Sequence, residues 1–292
     1  MTTARLHDGA SLEVTITGEG PAVLLPISTA VIDGEAAEQM RAWGADPNNG
    51  HTLVTGLAGG GFRVIAADYE GHLAGHPKPR TLTADAVAAD LLAIADAAGA
   101  DRFAYYGYSW LALAGLQLAI RTDRLTALVM GGYPPLGGPY EAMLTVTRAA
   151  YRMAVENVGK EISNKHIEPG DWDSSEVTAS PDQTRQYVTL YESIQDFDER
   201  AALERLGAPR LAFAGANDNI TYGPQWDDAY VAIGDGLAAN RDELIKLGWT
   251  VEILPDHDHI SAMQAAQVLP VLAPWLSVAI ADGPPRTEAG RR

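Results

Sequence analysis

The chain has 292 residues, 47% of them hydrophobic and 20% charged, which is enough for a sizeable core in one large domain or two small ones. Acidic residues outnumber basic ones, 38 to 21, for a formal charge of −17. A nucleic-acid partner is therefore not expected, because a phosphate backbone needs a concentrated basic face. There is no cysteine, so disulfides, thiolate metal sites and cysteine nucleophiles are excluded.

The N-terminal segment MTTARLHDGASLEV lacks the charged-then-apolar order of a signal peptide. No apolar stretch reaches the roughly 18 residues of a membrane span. The expectation is a cytoplasmic protein without a membrane partner. Leu12, Val14 and Ile16 alternate with polar residues up to Gly18-Glu19-Gly20-Pro21, which predicts an antiparallel strand at a sheet edge. Six short, nearly continuous apolar runs follow: AVLLPI (22–27), FRVIAAD (62–68), FAYYGYS (103–109), ALVMGG (127–132), RLAFAG (210–215) and TVEILPD (250–256). Runs without alternation suit strands buried on both faces, as in a parallel sheet.

Helical spacing of apolar residues predicts helices over 83–98, with Thr83 as N-cap, over 110–121, and from Ser261 to about Ile280. Strands alternating with helices argue for a doubly wound α/β sheet. Two segments break the alternation. Residues 28–60 are too long for a simple connection and predict a short helix and a loop. Residues 135–205 look helical and polar and carry Tyr140, Tyr151, Trp172, Tyr187 and Tyr191. An excursion of that length between core strands predicts a cap over the sheet's edge. The expected organisation is a core of residues 1–134 and 206–281, a helical cap of residues 135–205 and a disordered tail at 282–292. Gly59-Gly60-Gly61 precedes a strand instead of following one, so it is read as a turn and not as a dinucleotide fingerprint.

The chemistry-bearing residues stand at strand ends. Ser109 lies between a buried strand and a buried helix in YYGYSWLALAG, residues 105–115. A sharp turn there holds the hydroxyl clear of the backbone and aims the helix N-terminus at the same spot. A serine nucleophile needs a histidine base oriented by a carboxylate. LAFAGANDN places Asp218 just past one strand, and ILPDHDHIS places His259 just past the next. Competing readings stay open. Ser109 could cap the following helix, and Asp218 could be a turn residue. Asp196 and Asp198 are alternative acids, and His257 is an alternative base. The DHDH run has a superficial metal-ligand look, but metal sites draw ligands from more than one segment, and no metal or other cofactor is predicted. His72 is expected to hold its own loop by hydrogen bonding.

These stretches together resemble the α/β-hydrolase fold superfamily over nearly the whole chain. GYSWL resembles the family's G-x-S-x-G elbow, with Leu111 where the second glycine would stand. DYEGHLAGH (68–76) resembles its D-x-R-G-H-G loop, GANDN its acid-bearing G-x-x-D, and DHIS its histidine loop. The resemblance implies a mostly parallel central sheet flanked by helices, an inserted helical cap, and a triad of Ser109 as nucleophile, His259 as base and Asp218 as orienting acid. The family's His-Gly after the third strand is replaced by Pro26-Ile27-Ser28. By resemblance, the N–H groups of Ser28 and Trp110 would then form the oxyanion hole. The implied activity is cleavage of an ester, thioester or lactone of a medium-sized, largely apolar small molecule. Acyl transfer, carbon–carbon hydrolysis and non-catalytic ligand binding are the alternatives on the same fold. A homodimer is an open assembly.

Overall fold

The computed structural model describes residues 1–160 and 177–281. In chain order, three strands come first: β1 (Thr2–Arg5), β2 (Ser11–Thr17) and β3 (Ala22–Leu25). Helices α1 (Gly34–Ala42) and α2 (Asn49–Gly59) lead to β4 (Arg63–Ala66), and α3 (Tyr69–Gly75) and α4 (Ala84–Ala97) lead to β5 (Phe103–Tyr108). Then come α5 (Trp110–Ala119), β6 (Leu125–Gly131), α6 (Tyr140–Glu156), α7 (Pro181–Glu192), α8 (Glu199–Leu203) and β7 (Arg210–Gly215). A small hairpin, β8 (Asn219–Thr221) and β9 (Tyr230–Ala232), follows with α9 (Gly234–Ala239) and α10 (Arg241–Lys246). The chain closes with β10 (Trp249–Leu254), α11 (His259–Ala262) and α12 (Ala265–Ala281).

Eight strands form one sheet in the order β1-β2-β4-β3-β5-β6-β7-β10. Strands β4, β3, β5, β6, β7 and β10 run parallel, and β1 and β2 add an antiparallel margin. All six unbroken apolar runs are parallel strands. Their side chains explain the lack of alternation. Leu24, Ile65, Tyr105, Leu128 and Ala212 pack on one face, while Val23, Val64, Tyr106, Val129 and Leu211 pack on the other. Both faces are covered, so both registers of each strand must be apolar. Residues 111–118 of α5 are buried without a break, and Thr83 caps α4 by accepting from the Ala86 N–H.

Several expectations need correction. The strand at Leu12–Ile16 is β2, but it is not the edge. Thr2–Arg5 pairs outside it, across the Asp8-Gly9 turn, with Thr2 opposite Val14. The 28–60 connection holds two helices. The DYEGHLAGH stretch is not all loop: the Asp68 side chain accepts from the Gly71 N–H and starts α3. The final helix is split, with a separate turn at His259–Ala262. The tail at 282–292, and Trp172 of the expected cap, lie outside the described residues.

The functional edge follows from the strand order. The chain steps from β3 outward to β4, then crosses back to place β5 on the other side of β3. A reversal of this kind opens a crevice beyond the C-terminal ends of the two inner strands. In the pairing of β3 with β5, Leu24 is opposite Tyr105. That pairing brings the segments after Leu25 and Tyr108 to the same rim.

Candidate active site

Ser109 occupies a backbone conformation that side chains rarely adopt, φ 56° and ψ −132°. A non-glycine residue there carries strain of order 1–3 kcal/mol. The surrounding structure holds it. The Ser109 N–H donates to the Gly131 carbonyl of β6 at 2.8 Å, and the Ser109 carbonyl accepts from Ala112 N–H at 2.8 Å. Although Ser109 stands at the N-cap of α5, its hydroxyl makes no capping hydrogen bond. The helix-cap explanation of this serine therefore fails, and among the described residues its hydroxyl has no hydrogen-bond partner.

Two small residues make the turn possible. A Cβ on Gly107 would overlap the backbone carbonyl of Leu111, so the residue two before the serine must lack one. A Cβ on Gly115 would collide with the Tyr105 ring, which is how α5 settles so close to β5. Leu111, in contrast, is the second residue of α5, is 3% exposed and packs into the core with Tyr105 and Leu113. Its carbonyl accepts from the Tyr105 hydroxyl at 2.7 Å. The close backbone approach at this turn is met from the Gly107 side, so the second glycine of the elbow pattern is not needed.

His259 and Asp218 meet across two loops. The Nδ1 of His259 lies 2.9 Å from Asp218 Oδ1, with the aspartate fully buried and the imidazole 16% exposed. A carboxylate can only accept, so Nδ1 carries a proton, and in the neutral ring Nε2 is then the nitrogen with the lone pair. The loops are stitched together by backbone bonds. Ala216 N–H donates to Leu254 O, Asn217 N–H donates to His257 O, each at 2.9 Å, and Gly234 N–H donates to Asp218 O at 2.6 Å. A Cβ on Gly215 would overlap the His257 carbonyl. Asp258 then caps α11, accepting from the Ser261 N–H in a capping box, and so sets the first residue of that turn, His259. His257 contributes its carbonyl to the stitching, while His259 contributes its ring to Asp218.

Tyr108 closes this arrangement from below. Its hydroxyl donates to the His259 carbonyl at 2.9 Å and stands 3.4 Å from Asp218 Oδ2. Burial first, and the Asp218 charge second, hold the phenol far above its ordinary range, so it stays a neutral donor. The Tyr108 ring also tilts against the His259 ring at 5.1 Å between centroids.

Trp110 begins α5. Its indole N–H donates to Glu70 Oε1 at 2.6 Å, and its ring meets Tyr187 of α7 edge-on at 5.4 Å and Tyr69 at 6.3 Å. Glu70 and the Trp110–Tyr187 contact are features that sequence reasoning missed. The signal for Glu70 was present, since it stands at the arginine position of the D-x-R-G-H-G pattern. Ser28 is exposed beyond Pro26, and its hydroxyl accepts from Ala30 N–H at 3.3 Å. A cleft of about 350 Å³ reaches His259 from the α1 side, lined by Arg41, Trp43, Asn217, Asn219 and Ile260.

The other candidates are placed elsewhere. Asp198 caps α8 through the Ala201 N–H. His72 does not hold its loop by hydrogen bonding through Nε2. That nitrogen is buried without a partner among the described residues, and the ring stacks on His76 at 4.8 Å instead. Among the described residues, no three His, Asp or Glu side chains converge in a way that could hold a metal ion, and no helix is long and apolar enough to cross a membrane.

No protein-family model matches the chain, and no curated protein does. Solved structures do. An enol-lactonase from Burkholderia xenovorans is 22% identical, with 94% of this chain and 99% of that chain covered at a TM-score of 0.59. A thermophilic esterase from Thermogutta terrifontis is 17% identical, with 96% and 98% covered at 0.57. An epoxide hydrolase from Vigna radiata is 15% identical, with 95% and 98% covered at 0.58. The chain therefore has the α/β-hydrolase fold, with an eight-stranded, mostly parallel sheet flanked by helices.

Proposed function

We propose that the protein is a serine hydrolase that cleaves an ester, thioester or lactone of a medium-sized, largely apolar molecule. The observation that carries this reading is the strained, uncapped Ser109 at the end of β5, on the same sheet edge as a His259 ring oriented by buried Asp218. An epoxide hydrolase shares the fold, but chemistry through an alkyl-enzyme calls for a carboxylate at the elbow, and here a serine stands there.

The steps follow from the groups. Nε2 of His259 accepts the Ser109 proton while Oγ bonds to the substrate carbonyl carbon, and the carbonyl π pair moves onto oxygen. The N–H groups of Ser28 and Trp110 hold that oxygen, in support of which β3 and β5 are neighbouring parallel strands whose C-terminal ends lead toward Ser28 and Ser109. The tetrahedral centre collapses, and the leaving alcohol or thiol takes the proton from His259. Water then gives its proton to His259, attacks the acyl-enzyme and releases the acid, and Ser109 is re-protonated. Asp218 keeps the proton on Nδ1 throughout and stabilises the imidazolium.

In this reading, the described residues of 135–205 form the cap. Its support is Tyr187 of α7 against Trp110, and the anchoring of α7 on the end of α3 and the segment after it. Those anchors are Gln186 Oε1 accepting from Lys78 N–H, Gln183 donating to Ala74 O, and Thr189 donating to Pro79 O. Replacing Tyr187 with alanine should reorder acyl-chain preference more than it lowers stability.

The deciding experiment is active-site labelling with an alkyl fluorophosphonate, mapped by mass spectrometry. Stoichiometric modification of Ser109, lost in Ser109→Ala, supports the reading. An intact, folded protein that labels nowhere would leave a ligand-binding protein on a hydrolase fold.

A further inference from the structure

Ser109 and His259 do not follow neighbouring strands. Ser109 comes after β5 and His259 after β10, with β6 and β7 lying between them in the sheet. Their spacing has to be held by something that crosses the sheet's end, and the Tyr108 side chain makes that crossing. Tyr108 is the last residue of β5. Its ring meets Phe213 of β7 at 6.0 Å between centroids and the His259 ring at 5.1 Å. Its hydroxyl donates to the His259 carbonyl at 2.9 Å. Among the described residues, this is the one hydrogen bond that joins the elbow, residues 107–110, to the histidine loop, residues 255–262.

The end of β6 is shaped to this ring. A Cβ on Gly131 would stand 2.6 Å from the Tyr108 ring, and one on Gly132 would stand 2.6 Å from the ring and 3.0 Å from its hydroxyl. Both positions therefore have to lack a side chain while the ring stays where it is. The Gly131 carbonyl also accepts from the Ser109 N–H at 2.8 Å. The same short segment thus holds the backbone of the serine and the ring that reaches the histidine.

The phenol has one proton and faces two acceptors. It donates to the His259 carbonyl, and Asp218 Oδ2 lies 3.4 Å from it. Oδ1 of this fully buried carboxylate faces His259 Nδ1 at 2.9 Å. Among the described residues, Oδ2 has no nearer hydrogen-bond partner than the phenol. One residue therefore touches all three members of the triad: Ser109 through the chain, His259 through its ring and carbonyl, and Asp218 through the hydroxyl.

We propose that Tyr108 is a positioning residue: resting on the serine-hydrolase reading above, its hydroxyl holds His259 at its working distance from Ser109 and keeps the Asp218 carboxylate turned toward Nδ1. Tyr108 acts through these groups and does not touch the substrate.

The test removes one oxygen. Tyr108→Phe keeps the ring. Tyr106→Phe is the control, because Tyr106 lies on the same face of β5 and also packs on Phe213, at 6.2 Å, but makes no hydrogen bond or ring contact with Asp218 or His259 among the described residues. An alkyl fluorophosphonate is titrated against each folded protein, and modification of Ser109, read by mass spectrometry, separates the limiting rate kinact from the half-saturating concentration KI. Tyr108→Phe should lower kinact about tenfold or more, the scale of a small misplacement of reacting groups, with KI nearly unchanged. Tyr106→Phe should match the wild type. A second readout needs no reaction. The Nδ1–H signal of His259 in nuclear magnetic resonance spectra, assigned by its loss in His259→Gln, should shift or broaden in Tyr108→Phe and stay in place in Tyr106→Phe. A kinact unchanged in Tyr108→Phe, or lowered equally in Tyr106→Phe, overturns the proposal while leaving the nucleophile in place. Should the wild type take no label, the hydrolase reading falls, and the Nδ1–H signal alone decides whether Tyr108 places His259.

Discussion

Two buried aspartates in this molecule look alike at close range. Asp218 and Asp90 are each 0% exposed, and each faces a histidine Nδ1 at 2.9 Å, from His259 and His7. The two imidazoles are also similarly covered, at 16% and 18% exposed, and each aspartate has a tyrosine hydroxyl near it, Tyr108 at 3.4 Å and Tyr69 at 2.8 Å. Distance and burial do not separate the pairs. What separates them is how much each protein environment leaves unspent. Asp90, in the middle of α4, takes hydrogen bonds from His7 N–H, His7 Nδ1, Tyr69 and Lys78, and the far nitrogen of His7 faces the Thr81 hydroxyl at 3.5 Å. That hub ties the N-terminal hairpin to α3 and α4. Asp218 stands past the end of a parallel strand, and the far nitrogen of its histidine remains available on the edge that also carries Ser109. A His–Asp pair becomes a candidate catalytic device through its place in the sheet and its unspent valence.

The largest effects should split the two pairs by kind. Ser109→Ala and His259→Gln should each lower ester turnover by three or more orders of magnitude with the melting temperature little changed. His7→Gln should do the reverse, lowering the melting temperature while turnover per folded molecule holds. Steady-state kinetics beside thermal melts would show it. If His7→Gln abolished turnover in a folded protein, the comparison would collapse.

The aspartates sharpen it further. Asp218→Asn should cost up to about 10⁴ in kcat, because the wrong histidine tautomer is then favoured. Asp90→Asn should cost about 3 kcal/mol of stability, because it leaves Lys78, whose side chain is 2% exposed, without its buried counter-charge. Asp8, 3.3 Å from the same ammonium, keeps that loss from being larger. Denaturant titration measures the second effect, and an unchanged midpoint would mean that the hub is not a structural tie.

Leu111 gives a smaller effect. Leu111→Gly restores the elbow pattern's glycine but removes a buried side chain and puts glycine in a helix. The expected cost is about 3–4 kcal/mol of stability, with kcat per folded molecule nearly kept. A gain in kcat would show that Leu111 distorts the turn.

The fold was largely legible in the sequence because a parallel sheet covered on both faces writes itself as unbroken apolar runs. The strand-end positions of Ser109, Asp218 and His259 could be read for the same reason. What was not read has local causes. Ala4 in β1 and Leu6 just after it alternate with polar residues toward Asp8-Gly9, a hairpin signal, but with only four residues β1 was too short to stand out. Asp90 sits among Val87, Leu91 and Ile94 on the apolar face of α4, where a charge has to find partners. Those partners come from residues 7, 69 and 78, which helical spacing does not reveal. The β8–β9 hairpin and Glu70's bond to Trp110 likewise depend on contacts made only after the sheet has closed.

The smallest prediction concerns how His259 is held, and it tests whether position alone distinguishes the two pairs. His7 is held directly, since its own N–H donates to Asp90 at 2.6 Å. His259 is held through the start of α11, where Asp258 and Ser261 cap each other. Burial would raise the Asp258 carboxyl, but bonds from the Ser261 hydroxyl and N–H prevail and hold it below its ordinary value. A depressed carboxyl stabilises the fold fully above the ordinary aspartate range, and that stabilisation is lost as pH falls through the folded-state value. Asp258→Ala should therefore cost about 1 kcal/mol near neutral pH, and the gap to wild type should close in acid. Asp258→Asn, which can still cap, should recover most of the loss. Because the cap aims the imidazole, Asp258→Ala should also lower kcat several-fold, with KM nearly unchanged. A gap in stability that stayed constant from neutral to acid pH would assign the effect to packing and remove the cap from the account of how His259 is placed.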